Sequence, residues 1–294
     1  EENLLVHGGG IYPGLETFEA ASIDKTFTFD HGLPGKVWAS GAPQVLSKLN
    51  GSYFERCDEA AASGITAGLG IPIFAGDYLK AVVVFLCGEE DDKKGALEYW
   101  HCDGAADYDL SLASGCYGNL KDFEYLSHRT HFRKGFGLPG MAWAQNMPVL
   151  LSELGQSQKF ARAQSAHEAG FVTGIALPIY HMDGQVNIIV MLSSLETPIT
   201  HRMEVWAMSG DRKELRWHMG FSGTDSWQDE FQARTGQAVE SGVLSEVART
   251  GRPRIWRELF ELSESAGTAP VERPCLAFPI IEAGRCRYVV KMVM

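Results

Sequence analysis

A twelve-residue stretch returns at a fixed spacing along this chain. Gly32-Leu33-Pro34-Gly35-Lys36-Val37-Trp38-Ala39-Ser40-Gly41-Ala42-Pro43 recurs 105 residues later as Gly137-Leu138-Pro139-Gly140-Met141-Ala142-Trp143-Ala144-Gln145-Asn146-Met147-Pro148. After another 105 it recurs, with more substitutions, as Gly242-Val243-Leu244-Ser245-Glu246-Val247-Ala248-Arg249-Thr250-Gly251-Arg252-Pro253. The same spacing aligns Leu5, Leu110 and Leu215, and Gly10, Gly115 and Gly220, while Glu98-Tyr99-Trp100 pairs with Glu204-Val205-Trp206 at 106. A period of this length makes each stretch a folding unit with its own core. The expected organisation is three modules, residues 1–92, 93–198 and 199–294. In the first, the counterpart of the opening strand would fall before residue 1.

Alternation and turn chemistry, read on the second copy, give an α+β unit with a mainly antiparallel sheet covered by short helices. Strands are expected over 97–102, 108–117, 149–154, 172–180 and 185–192, with an amphipathic helix over 158–168. Pro139 suits the first turn of a short helix. Gly41 suits its left-handed stop, and Pro43 blocks continuation. Ala75-Gly76-Asp77 and Asp183-Gly184 read as hairpin turns, Asp103-Gly104 as turn chemistry, and the sequon Asn50-Gly51-Ser52 as a turn.

Composition narrows the function classes. The 294 residues carry a net charge of −11, which opposes a protein built to replace counterions on nucleic acid. Apolar runs such as residues 81–87 are strand-length, so no membrane span is expected. Six cysteines show neither CxxC pairs nor zinc-type spacing, which points to a soluble intracellular protein in a reducing compartment, cytoplasm or organelle interior.

The run GLPGKVWASGAPQVL, then an Arg-containing helix ending in AAASGI, then GLGIPIFAGDYLKAVVVF, resembles the GAF family. The second copy is similar over its full length. The third is degenerate, with Gly-Val-Leu-Ser for Gly-Leu-Pro-Gly and Ala248 for the tryptophan. The resemblance implies a fold that encloses a small molecule between sheet and helices, and it makes Trp38, Cys57, Trp143 and His167 the candidate ligand-binding residues. No cofactor is predicted. Haem on His167 and a bilin near Cys57 are the alternatives the family suggests, but Ala61 replaces the histidine in the first copy and no Cys-His dipeptide occurs.

Other motifs reduce to structure. Gly135-Phe136-Gly137-Leu138-Pro139-Gly140 fits GxGxxG, yet the unit is not βαβ and Asp30 stands where Gly135 does in the first copy. His128-Arg129-Thr130-His131 lacks a third metal ligand and reads as solvated surface. The acidic run 89–92 reads as a solvated linker, and residues 195–201 contain Pro198, which opposes a continuous helix between copies. A methionine sulfoxide reductase of this fold needs paired cysteines, and Cys57 with Cys87 is the available pair within one copy. The reading is therefore a non-catalytic scaffold or accessory protein that binds other protein subunits. The alternative is a small-molecule sensor with its pocket in the first or second module.

Overall fold

The computed structural model describes residues 4–88, 94–102, 109–180, 185–222, 234, 236–260 and 271–294. The chain divides into two compact units, residues 1–199 and 200–294.

In the first unit, β1 (Leu5–Val6), α1 (Glu16–Ile23), β2 (Thr26–Phe27), α2 (Gly32–Ser40), β3 (Gln44–Leu46), α3 (Cys57–Ala62), β4 (Ile65–Ala75) and β5 (Tyr78–Gly88) come first. They are followed by β6 (Gly95–Cys102), β7 (Asp109–Cys116), α4 (Lys121–Ser127), β8 (Phe132–Arg133), α5 (Gly137–Gln145), β9 (Val149–Leu151), α6 (Ala163–Ala169), β10 (Thr173–Tyr180) and β11 (Val186–Ser193). The second unit holds β12 (Arg202–Met208), β13 (Leu215–Ser222), β14 (Ala238–Val239), α7 (Val243–Thr250), β15 (Arg254–Phe260), β16 (Val271–Glu282) and β17 (Arg285–Val293).

All pairings among the described residues are antiparallel. One six-stranded sheet runs β8-β7-β6-β11-β10-β9 and the other β14-β13-β12-β17-β16-β15. Numbered within each stretch, both follow the order third, second, first, sixth, fifth, fourth. Both also slip register at the same place, between Tyr99 and Trp100 and between Val205 and Trp206. Residues 5–88 instead form two small sheets, β1-β2 and β3-β4-β5. In strand order these match the second-third and fourth-fifth-sixth strands of the larger pattern, and no counterpart of the first strand occurs among the described residues.

The Gly-Leu-Pro-Gly helices follow from backbone sterics. Gly32 and Gly137 sit at φ +61° and +67°, where a Cβ would meet the rings of Phe27 and Phe132. Gly35 and Gly140 bring the helix start against the preceding strand, so that Asp30 N–H bonds Gly35 O (3.0 Å) and Gly135 N–H bonds Gly140 O (2.7 Å). All three long helices of this type stop at a left-handed residue, Gly41, Asn146 or Gly251.

Buried Leu33 and Val37 on α2, and Leu138 and Ala142 on α5, pack onto the sheet faces they cover. Opposite the helices, Leu69 and Ile71 in the three-stranded sheet and Leu177 and Ile189 in the six-stranded sheet are also fully buried. Within this unit β3 lies against β6 and β7 and β4 against β10, so the two sheets cover each other's outer faces. Burial on both faces explains why β4 and β11 are nearly continuous apolar runs rather than alternating ones.

Two expectations need correction. The strand expected over 149–154 ends at Leu151, because the chain turns at Ser152 and Glu153, the latter at φ +51°. The helix expected over 158–168 starts only at Ala163: residues 158–162 form turns that carry Arg162 inward. Gly51 at φ +76° and Gly76 at φ +65° lie in turns as expected, and residues 195–201 are not helical. The His128-to-His131 segment is neither helix nor strand but the turn that ends α4, with both imidazoles exposed. The 89–92 run and the Asp103-Gly104 and Asp183-Gly184 turns lie outside the described residues.

Candidate functional site: a carboxylate and a guanidinium beneath the helices

Strand β6 alternates Ala96, Glu98, Trp100 and Cys102 toward the helices, which places a carboxylate in an otherwise apolar row. Glu98 is fully buried and its two oxygens accept four donors. Arg162 Nη1 and Tyr117 Oη donate to Oε1 at 2.5 and 3.0 Å, while Arg162 Nη2 and Trp100 Nε1 donate to Oε2 at 2.8 and 2.9 Å. Burial alone would push the Glu98 carboxyl up. The Arg162 charge and the donors from Arg162, Trp100 and Tyr117 outweigh it and hold the carboxyl below its ordinary value.

Arg162, the residue before α6, also donates Nη1 to Ser127 Oγ at the end of α4 (2.5 Å). Its guanidinium lies 4.6 Å from the Phe123 ring centroid, 5.4 Å from Trp100 and Phe160, and 5.6 Å from Phe132. Such a cage replaces part of the hydration that the cation gives up. An ion pair thus lies between sheet and helices, and all four contacts of its carboxylate go to neighbouring side chains.

The other stretches repeat the arrangement with different completeness. In the second unit Glu204 again accepts from the indole two residues on, Trp206 Nε1 at 3.0 Å, but its cations are Lys291, Arg202 (2.8 Å) and Arg234 (3.1 Å). In the first stretch Arg56 takes the place of Arg162, donating to Ser22 Oγ, with ring centroids of Phe18, Phe54 and Phe27 at 4.7, 5.3 and 5.7 Å. Ser22 and Phe18 are the 105-residue counterparts of Ser127 and Phe123. Among the described residues no carboxylate lies within ion-pair distance of Arg56.

The four residues singled out from sequence do not converge. Trp38 is half-buried on the outside of α2, edge-on to Phe29 with centroids 5.4 Å apart. Trp143 packs at the margin of its core with Lys134 Nζ 5.6 Å above its ring. His167 is exposed on α6. Cys57, at the start of α3, donates its thiol to Phe54 O (2.8 Å) and Leu49 O (3.2 Å). Cys57 lines the same core as Val82, Val84 and Leu86 of β5, and strand alternation sends Cys87 to the other face of that strand. The Cys57–Cys87 pairing is thereby ruled out. Burial, with Cys116 nearby, pushes the Cys87 thiol up to about 12, far from a reactive thiolate.

No family model matches the chain, and no curated protein does. Among solved structures it is similar to the GAF domain of A. aeolicus Nlh2 in an inactive state, at 19% identity over 34% of this chain and 57% of that one, with a TM-score of 0.27. It is also similar to the free methionine-R-sulfoxide reductase of Neisseria meningitidis in complex with its substrate (16% identity, 33% and 51% coverage, TM-score 0.25). A third is the GAF domain from a phosphoenolpyruvate-protein phosphotransferase of Coxiella burnetii (16% identity, 33% and 55%, TM-score 0.27). The chain spans little more than half the length of these three structures.

Proposed function

We propose that residues 1–92, 93–198 and 199–294 are three GAF-like modules, the first without its opening strand and the third degenerate, forming a non-catalytic scaffold that binds other protein subunits. The shared strand order of the two six-stranded sheets supports the modular reading. The scaffold reading is carried by one observation: beneath the helices of the second module Glu98 pairs with Arg162 inside an aromatic cage, and each of its hydrogen bonds goes to a side chain of the same module. A pocket for a small molecule needs convergent polar groups that face a cavity.

A small-molecule sensor is the second reading. One feature favours it, the Arg56 cage of the first module, whose guanidinium feels Glu55 and Glu59 but, among the described residues, makes no direct ion pair. The absorption spectrum of the purified protein, with mass analysis of what denaturation releases, separates the two. The scaffold reading expects protein absorption only and no released compound. A chromophore or nucleotide in stoichiometric amount would overturn it.

A further inference from the structure

The edge strand of the second unit differs from its counterparts in both length and charge. β15 runs seven residues, where β3 and β9, at the same end of their sheets, run three. Residues 249–257 carry four arginines, Arg249, Arg252, Arg254 and Arg257, and no acidic residue. The equivalent stretches 39–47 and 144–152 carry no charged residue at all. Among the described residues β15 pairs only with β16, so its other edge offers backbone N–H and C=O groups to a further strand.

Alternation sets what such a strand would meet. Ile255, Arg257 and Leu259 share one face of β15, and Arg254, Trp256 and Glu258 the other. On the first face Ile255 is 39% and Leu259 70% exposed, with the Arg257 side chain between them 65% exposed. On the second, Trp256 packs into the core, Glu258 accepts from Lys291 Nζ at 2.7 Å, and Arg254 is exposed beside Glu246 of α7. Charges on an edge commonly keep other strands away. Two bare aliphatic side chains flanking an arginine work against that role, and they supply the apolar cross-strand contact that an added strand needs. Charge then selects the occupant. Glu272 comes no nearer to Arg257 than 3.9 Å, and Arg249 and Arg252 are exposed. A second copy of the chain would bring the same arginines to the same edge.

We propose that β15 takes one added strand from a partner protein, an acidic extended segment that places carboxylates opposite Arg254 and Arg257 and apolar side chains opposite Ile255 and Leu259. Backbone hydrogen bonds to the open edge supply affinity. The two ion pairs, one on each face, fix register, because a slip of one residue turns both carboxylates to the wrong face. Arg252 and Arg249 precede the strand, where the acidic segment would continue. The inference rests on the scaffold reading and names a class of partner for it.

The probe is a fluorescent peptide, VTEVIEDE, written for antiparallel pairing with its first residue opposite Leu259 and its first two glutamates opposite Arg257 and Arg254. It is titrated into the 294-residue chain by anisotropy, with amide exchange to locate it. Saturable binding is expected, with new protection on β15, and about tenfold weaker binding of the neutral peptide VTQVIQNQ. The Arg254→Gln, Arg257→Gln protein should bind the two peptides alike. Arg257→Gln alone, at the more exposed position, serves if the double variant does not fold. The peptide VTEPPEDE keeps the charge but loses two successive backbone donors, one of which faces β15 in any register, and should not bind. No saturable binding, equal affinity for the acidic and neutral peptides, undiminished binding of the proline peptide, or protection elsewhere overturns the proposal. So does tighter, arginine-dependent binding of a single-stranded oligonucleotide of the same charge, which marks a nucleic-acid surface. Concentration-dependent self-association that protects β15 likewise overturns it, since the occupant is then a second copy. A compound released on denaturation would sink the scaffold reading without touching these titrations, and lost peptide binding would leave that reading standing.

Discussion

Replacing Arg162 with methionine should destabilise the first unit by about 3–5 kcal/mol, because it strands a fully buried carboxylate with its compensating charge removed. Glu98→Gln should cost a comparable amount: the amide keeps an acceptor for Trp100 or Tyr117 but leaves the guanidinium unpaired among aromatic rings. The double variant Glu98→Leu with Arg162→Met should cost clearly less than the two single effects added. It removes both charges together and leaves only the neutral Trp100, Tyr117 and Ser127 groups without partners. Denaturant unfolding followed by tryptophan fluorescence reads all three, and strictly additive costs would show that the two side chains do not act as a pair.

The same pair sets an acid limb. The Glu98 carboxyl titrates below its ordinary 4.5 in the folded chain, so the stability it contributes is complete above that value and is lost as pH falls through the lower folded one. The Glu98→Gln protein should lack this component, and its stability should fall less between neutral and acid pH than that of the unaltered chain. An unchanged acid limb would assign the loss to other carboxylates.

The repeat was legible because its markers are backbone requirements. Glycines at positive φ, left-handed helix stops and the prolines after them recur wherever the chain makes the same turn, and α2, α5 and α7 all lie at that recurrence. The buried ion pair was not legible. Glu98-Tyr99-Trp100 was visible as a recurring triplet, but its partner lies 64 residues away, and no local pattern ties a strand glutamate to a residue that precedes a helix. Amphipathic periodicity carried the expected helix back to residue 158, since Arg162 reads as a solvent-facing helical position until the carboxylate beneath it is known. The recurring tryptophans lie at the edge of the buried stripe. Leu33 and Val37 define the buried stripe of α2 four residues apart, and Trp38, one residue on, is turned about 100° away from it.

Alanine at the second glycine of the motif should be among the most damaging single-methyl additions. A Cβ on Gly140 would stand 2.1 Å from Arg133 O, and one on Gly35 would stand 2.2 Å from Thr28 O. Both obstacles are backbone carbonyls of residues held by the adjoining strand and turn, so neither can rotate aside as a side chain would. The helix must move off the sheet, pulling buried Leu138 and Ala142, or Leu33 and Val37, out of register with it. A cost of about 3 kcal/mol is expected for either variant, measured by denaturant unfolding. Gly8→Ala is the matched control: its Cβ meets nothing within 4 Å, and its effect should stay within about 0.5 kcal/mol. The third stretch supplies the converse. Ser245 stands at the position of the second glycine, with its hydroxyl donating to Val239 O at 3.4 Å, so α7 already accommodates a side chain there. Ser245→Gly should therefore cost no more than about 1 kcal/mol, the helix-propensity difference alone. Were Gly140→Ala as mild as Gly8→Ala, the close approach of α5 to its strand would not be what seats that helix.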